Sequence, residues 1–279
     1  MMKDILVHIP TERPIRPVID ASISLASGLG AHLDGLATGY VSTSAYVADG
    51  SAAASIAAFS AMEQEQAEAR AKTSLSVFEI EARHAGVSYE CRSIAGVPAE
   101  VASSVGAAAR LYDLSVVLQP DAHHHTSDNT ISTAILARAG GPVLFVPYIH
   151  KGAFRAKRIG ICWDGSRFAA RALNDAKPLL AQADALFVIS INGAKSAPAD
   201  ASPEELAKHL ARVQLPVRLI DLPASRSDIQ PSILSIASDE GLDMLVMGAY
   251  GHSRLQEGLF GGVTREMLRT MTVPTLMSH

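Results

Sequence analysis

The sequence predicts an α/β protein made of two tandem, doubly wound domains, each built on a five-stranded parallel sheet. Short apolar segments rich in Val, Ile and Leu alternate along the chain with longer segments of helical periodicity. Strands that alternate with helices of crossover length pair in parallel, and the helices cover both faces of the sheet. The same order of segments then occurs a second time, which indicates an internal repeat.

The first half, residues 1–150, contains the first copy of this order. Its predicted strands cover residues 5–9, 32–41, 87–94, 114–118 and 143–146. Its predicted helices cover residues 18–30, 62–84, 97–111 and 131–139. Residues 42–60 are rich in Ala, Ser and Gly and have no clear period, so we predict a mobile, irregular connection there.

The second half, residues 151–279, repeats the order after a linker of residues 151–156. Its predicted strands cover residues 157–163, 185–191, 217–222, 243–248 and 273–277. Its predicted helices cover residues 167–183, 203–213 and 229–239, followed by a last helix that begins near Val263 and Thr264. Because residues 157–163 (KRIGICW) match residues 3–9 (KDILVHI), we place the two domains at residues 1–150 and 151–279.

The composition is typical of a soluble globular protein. Apolar residues make up 48% and charged residues 19%, a balance that argues against disorder. A formal net charge of −4 gives no electrostatic reason to expect nucleic acid binding. No apolar run reaches the roughly 18 residues of a membrane span, and the start lacks a signal-peptide pattern, so we expect a cytoplasmic protein. Cys91 and Cys162 lie in predicted strands, and we expect them to be reduced core thiols.

A glycine-rich loop separates the strand at residues 243–248 from the last helix. It contains Gly248, Gly251, Gly258, Gly261 and Gly262. Glycine lets backbone N–H groups approach a ligand, and a helix N-terminus adds unpaired donors and the positive end of a dipole. This combination favours an anion such as phosphate, and the alternative is an ordinary turn that uses glycine for its positive φ. His252 lies in the same loop, either as a further phosphate contact or as exposed loop polarity.

The loops at the carboxyl ends of the strands differ between the halves. In open parallel sheets, ligands bind at this edge, where the strand order reverses. After its first strand, the second half has Asp164 and Gly165, whereas the first half has Pro10. A carboxylate here can accept from a ribose hydroxyl or an adenine amine, and it suits a helix N-cap equally well.

The loop after the fourth strand of the first half has none of the glycines of this glycine-rich loop. It carries His123, His124 and His125 instead, which invites a metal hypothesis. Neighbouring side chains on an extended loop point in different directions, however, and no Cys or carboxylate pair completes a tetrahedral set. We therefore favour a surface loop without a metal.

The tandem halves, the Asp-Gly-Ser turn at Asp164 and the spacing Gly248-x2-Gly251-x9-Gly261 resemble the universal stress protein family over almost the whole chain. The resemblance implies a Rossmann-like, adenine nucleotide alpha hydrolase-like fold that binds ATP, AMP or ADP, with or without Mg²⁺. It also implies that Asp164 lies near the ribose or adenine, that Ile191 lies against the base, and that the three glycines hold the phosphates.

One position departs from the family pattern, in which the last glycine is followed by Ser or Thr. Here Gly262 stands in that place and lacks the hydroxyl that reaches a phosphate. The missing hydrogen bond corresponds to about 0.5–1.5 kcal/mol, or roughly a tenfold loss of affinity. Thr264 could compensate if the helix start were shifted.

Three functions follow, in descending order of support. The first is a tandem universal stress protein whose second domain binds an adenine nucleotide and whose first domain is structural. The second is an interaction or regulatory protein of the same fold that binds no nucleotide. The third is a weak ATP hydrolase, although no paired carboxylates or metal ligands mark such chemistry. We expect no nucleic acid or membrane partner, a pseudo-dimer of the two domains through their last strands, and either a monomer or a homodimer.

Overall fold

The computed structural model describes residues 2–41, 53–193, 197–212, 215–249 and 262–279, with the side chains of residues 53–57 excepted. The strands are β1 (Asp4–Ile9), β2 (His32–Tyr40), β3 (Tyr89–Gly96), β4 (Leu114–Leu118), β5 (Val143–Val146), β6 (Arg158–Cys162), β7 (Ala185–Ile191), β8 (Val217–Leu222), β9 (Met244–Gly248) and β10 (Thr275–Ser278). The helices are α1 (Arg16–Leu29), α2 (Ala53–His84), α3 (Pro98–Ala108), α4 (Ser127–Arg138), α5 (Arg167–Leu180), α6 (Pro203–Ala211), α7 (Ile229–Asp239) and α8 (Gly262–Thr270). The predicted α/β class and all ten predicted strands are confirmed.

The N-terminal compact unit consists of Met2–Ala139 together with Lys151–Ala153. Its sheet has the order β3-β2-β1-β4, and every pair in it is parallel. All five residues of β4 are buried, because helices cover both faces of the sheet at its centre. This arrangement places the loops after β1, β2 and β4 at one edge.

The C-terminal compact unit consists of Gly140–His150 and Phe154–His279. Its sheet has the order β5-β10-β9-β6-β7-β8, in which β5 is antiparallel to β10 and the other pairs are parallel. The predicted association of the two last strands is confirmed, with Phe145 opposite Thr275 and Val143 opposite Met277. The predicted boundary at residue 150 divides the two sequence repeats and stays a prediction. The compact units divide the chain differently, because β5 lies in the C-terminal unit.

The same side-chain clamp ties the first and fourth strands together in both repeats. The Asp113 carboxylate accepts from the Lys3 backbone N–H at 2.7 Å. Its counterpart Asp243 accepts from the Lys157 backbone N–H at 3.0 Å. Because each bond joins residues that are far apart in the chain, the match reflects a shared fold of the two repeats.

The prediction of an irregular connection at residues 42–60 is wrong for its second part, because α2 begins at Ala53; residues 42–52 lie outside the described residues. Phe59 and Met62 on the first turns of this helix are 45% and 47% exposed. A helix shows an apolar stripe in its sequence where one of its faces is buried, and these two large apolar side chains are exposed instead.

The prediction that both cysteines are core thiols is wrong for Cys91, which is exposed. Cys91 lies on β3, the outer strand of its sheet, which pairs on one side only. Cys162 is partly buried at the end of β6. Burial raises the pKa of Cys91 to about 11 and that of Cys162 to about 12, so both thiols are protonated at neutral pH.

None of the helices that the structure describes combines the length and the apolar character that a membrane crossing requires.

Candidate functional site

The C-terminal sheet reverses its strand order between β6 and β9, and the candidate site lies at the carboxyl edge of this pair. Cys162 of β6 pairs with Met247 on one side and with Ile189 on the other. The three strands therefore end side by side, and the predicted site residues at their ends lie at the same edge of the sheet. They are Asp164 and Gly165 after β6, Ile191 at the end of β7 and Gly248 at the end of β9. Such a switch point forms a crevice in open parallel sheets.

Asp164 is exposed at this edge. Its Oδ1 accepts from the backbone N–H of Ser166 at 2.9 Å. The alternative that Asp164 caps α5 is wrong, because Ser166 is the N-cap residue and its Oγ accepts from the Ala169 N–H at 3.2 Å. Since Ser166 caps the helix, the Asp164 carboxylate has a role in the turn and faces solvent beside it.

Gly165 is required by the turn that carries Asp164. Its φ is +73°, a left-handed conformation that residues with a side chain rarely adopt. A Cβ at this position would also lie 2.9 Å from Cβ of Ala197 and 3.1 Å from Cδ of Pro198. A residue with a side chain would not fit here, so the turn that places Asp164 at the end of β6 requires this glycine.

Gly248 is required by the packing of β9 against α5. A Cβ there would lie 2.6 Å from the backbone nitrogen of Ala169 and 2.6 Å from the carbonyl carbon of Phe168. Both neighbours are backbone atoms in the first turn of α5, so they cannot move aside as a side chain could. The missing side chain at Gly248 therefore brings the N-terminus of α5 to the crevice.

Ile191 is half-buried at the end of β7, and the residue after it fixes the direction of the chain. Asn192 has φ +63°, the one positive φ among the described residues other than glycine. Its Nδ2 donates to the Ala224 carbonyl at 2.7 Å, and its Oδ1 accepts from the Ala224 N–H at 3.1 Å. Asn192 is not among the predicted site residues, although asparagine after a strand is an ordinary signal for a left-handed turn residue.

The helix α8 begins at Gly262, so its start is not shifted toward Thr264. Gly262 is exposed, and no described atom lies within 4 Å of the place where its Cβ would be. Val263 is half-buried, whereas Thr264 is 4% exposed and lies on the face of α8 that packs against the protein. Thr264 is expected to replace the hydroxyl that Gly262 lacks only if the helix start is shifted, and the start is not shifted.

The centre of the glycine loop, including Gly251, His252 and Gly261, lies outside the described residues. Its role in the site stays a prediction. Two aromatic rings that the sequence analysis missed lie near Gly248: those of Phe168 and His279, with centroids 5.5 Å apart.

The corresponding edge of the N-terminal unit is occupied by a carboxylate of the protein itself. Its strand order reverses between β1 and β4, and Asp128 on the first turn of α4 reaches across this switch point. Asp128 Oδ2 accepts from the backbone N–H groups of Thr11 at 3.0 Å and Glu12 at 2.8 Å. Its Oδ1 accepts from the Tyr40 hydroxyl at 2.7 Å. Asp128 is 3% exposed, so this crevice is closed at its centre.

A chain of buried polar groups continues from Tyr40 into the sheet. The Tyr40 hydroxyl lies 2.6 Å from Thr38 Oγ1, which lies 2.9 Å from His8 Nε2. Burial lowers the pKa of His8 to about 3, so the imidazole is neutral at neutral pH. Burial raises the pKa values of Tyr40 and Asp128.

The histidine loop after β4 is held by a neighbouring carboxylate. Asp121 Oδ2 lies 2.8 Å from Nδ1 of His124, whose side chain is 72% exposed. Asn129 donates to the carbonyl groups of Asp121 and His124, at 2.9 and 2.6 Å. In the part of the chain that the structure describes, no three His, Cys, Asp or Glu side chains come together in a way that could hold a metal ion.

The fold is that of a doubly wound α/β protein in which each repeat has a switch point in its strand order. The model of the universal stress protein family matches residues 155–279. The C-terminal repeat therefore matches the family that the resemblance in the sequence indicates.

Solved structures of similar fold cover nearly all of the chain. A universal stress protein from Archaeoglobus fulgidus DSM 4304 is similar over 98% of this chain and 97% of its own, with a TM-score of 0.69 and 15% identity. A functionally unknown protein from Pseudomonas aeruginosa PAO1 is similar over 99% of this chain and 92% of its own, with a TM-score of 0.55 and 17% identity. At these identities the likeness concerns the fold alone, and it extends over both repeats.

A closer match in sequence is short. A universal stress protein of Methanocaldococcus jannaschii is 40% identical over 45 residues, which are 16% of this chain and 28% of that protein. The match thus spans less than a third of that relative.

Proposed function

We propose that this chain is a tandem universal stress protein whose C-terminal half binds ATP or a related adenine nucleotide, with or without Mg²⁺, and whose N-terminal half is structural. The observation that carries the proposal is the contrast between the two crevices. At the edge of β6 and β9, the Asp164 carboxylate is exposed. At the edge of β1 and β4, the buried Asp128 carboxylate takes the donors of the equivalent loop.

Each part of an adenine nucleotide has a candidate partner in the C-terminal unit. Asp164 can accept from a ribose hydroxyl or the adenine amine. Ile191 is half-buried and offers an apolar contact to the base. The first N–H groups of α8, from Gly262 onward, favour a phosphate. The proposal also assigns Gly251, His252 and Gly261 to the phosphates, and for these residues it rests on the sequence pattern alone.

Replacement of Asp164 by alanine is expected to raise the dissociation constant for ATP by about tenfold to a hundredfold, because a hydrogen bond to a charged group is lost. Titration calorimetry with ATP and Mg²⁺ measures this constant. Asp184→Ala is the matched control, since Asp184 is 70% exposed and precedes β7, at the opposite edge of the sheet. Equal affinities of Asp164→Ala and Asp184→Ala would place the site elsewhere, and absence of ATP binding by the wild-type protein at millimolar concentration would overturn the proposed function.

Replacement of Gly262 by serine is expected to strengthen ATP binding by up to about tenfold, because it adds the hydroxyl that the family pattern has there. No described atom lies within 4 Å of the Cβ position of this residue. Gly262→Ala is the control, as it adds the Cβ without the hydroxyl. If serine and alanine change the affinity equally, the hydroxyl does not contact the ligand.

A second candidate function is an interaction or regulatory module that binds no nucleotide, and Gly262 is the observation that favours it. The antiparallel pairing of β5 and β10 supports a pseudo-dimer of the two repeats in either case. Size-exclusion chromatography with light scattering distinguishes a monomer from a homodimer. Slow phosphate release from ATP that disappears in a Gly251→Val variant would instead identify a weak hydrolase.

A further inference from the structure

Two equivalent backbone donors are satisfied in different ways in the two repeats. The match of residues 3–9 with residues 157–163 makes Glu12 the counterpart of Ser166. The Ser166 N–H donates to Asp164, which lies in the same turn. Pro10 occupies the place of Asp164 in the first repeat and has no side-chain acceptor. The Glu12 N–H donates instead to Asp128, 116 positions away in the sequence.

Asp128 has the contacts that a bound carboxylate ligand would make. One oxygen accepts from two successive backbone N–H groups, those of Thr11 and Glu12, and the other accepts from the Tyr40 hydroxyl. Two adjacent N–H groups that point at one oxygen form an anion-binding concavity. The carboxylate enters this concavity from α4, on the other side of the switch point.

The surroundings of the carboxylate are polar and enclosed. Tyr40 is 7% exposed, Thr38 is fully buried and His8 is 1% exposed. Nδ1 of His8 is buried and has no hydrogen-bond partner among the described residues. A cavity left here would thus be lined by the hydroxyl of Tyr40 and the two free N–H groups, which are donors that suit a small anion.

We propose that the N-terminal crevice is an anion site that the protein occupies with its own Asp128 carboxylate. Removal of this side chain leaves a site for a free carboxylate of the size of formate or acetate. The Asp128 carboxylate takes up the donors of this crevice, so no bound ligand is needed to satisfy them. It is independent of nucleotide binding at Asp164, since neither its contacts nor its test involves the C-terminal crevice.

The test is chemical rescue of an Asp128→Gly variant. Thermal unfolding is followed by circular dichroism in sodium formate and in sodium chloride at the same ionic strength and pH. The variant is expected to be less stable than the wild type in chloride, because two N–H groups and one hydroxyl lose their acceptor. Formate is expected to raise the midpoint by at least about 3 °C over chloride, with a saturable dependence on concentration.

Asp128→Asn is the matched control, because its amide fills the same volume and leaves no room for formate. The wild type and Asp128→Asn are expected to have equal midpoints in the two salts. If Asp128→Gly is unfolded in chloride, the folded fraction in formate is measured instead, and recovery of folded protein in formate alone supports the proposal. A response of Asp128→Gly no larger than that of Asp128→Asn, in midpoint or in folded fraction, overturns it.

Discussion

Replacement of Gly248 by alanine is expected to lower the thermal unfolding midpoint by roughly 3–10 °C, which corresponds to an overpacking cost of about 1–3 kcal/mol. The new Cβ would lie 2.6 Å from backbone atoms of Phe168 and Ala169. Relief of this clash requires that β9 and α5 move apart, which also widens the candidate crevice. Differential scanning calorimetry measures the midpoint.

Gly262→Ala is the control for this variant, because it changes the other described glycine of the predicted motif, where no described atom lies within 4 Å of the Cβ position. Alanine is a better helix former than glycine, so Gly262→Ala is expected to raise the midpoint slightly or leave it unchanged. If Gly248→Ala is as stable as the wild type, β9 and α5 are not packed as closely as described. Comparison of the two variants thus tests whether packing requires the glycine at position 248 but not the one at position 262.

The free energy of unfolding is expected to depend less on pH in a His8→Gln variant than in the wild type. Burial lowers the pKa of His8 from 6.5 to about 3 in the folded protein. Between these values the unfolded chain binds a proton that the folded protein does not bind, so stability falls as the pH falls. The slope approaches roughly 1.4 kcal/mol per pH unit, and glutamine removes it.

Urea unfolding at several values between pH 7 and 5.5 measures this slope. The window avoids lower pH, where Asp128, whose pKa is raised by burial, contributes with the opposite sign. Thr38→Val is the control, because it removes the hydroxyl that contacts His8 Nε2 and leaves the imidazole buried. It is expected to lower stability and keep the slope. Parallel slopes for His8→Gln and the wild type would show that His8 is not buried in the neutral form.

Regular elements with strong local patterns were predictable from the sequence. The bounds of β4, β7, β8 and α7 agree with the prediction at both ends. Each is a continuous apolar or periodic segment that is bounded by polar, proline or glycine residues, so local signals decide its ends. The predicted site residues Asp164, Ile191 and Gly248 also come to one edge, because parallel pairing fixes where the strands end.

Contacts of individual side chains that depend on the strand order were not predictable. Nothing near Asp128 in the sequence indicates that its carboxylate contacts Thr11 and Glu12, because the contact depends on the strand order around β1 and β4. The exposure of Cys91 likewise depends on the outer position of β3. The spacing of the glycines also does not show why each is there. A Cβ would clash with described atoms at Gly165 and Gly248, whereas at Gly262 no described atom lies within 4 Å of the Cβ position.

The antiparallel partner of β10 comes from the other sequence repeat, so repeat and folding unit do not coincide. A cut after residue 150 would leave β10 with an open hydrogen-bonding edge, which is a template for association with another chain. The last strand of the first repeat is thus part of the sheet of the second, and a protein that begins at residue 151 would lack one strand of that sheet.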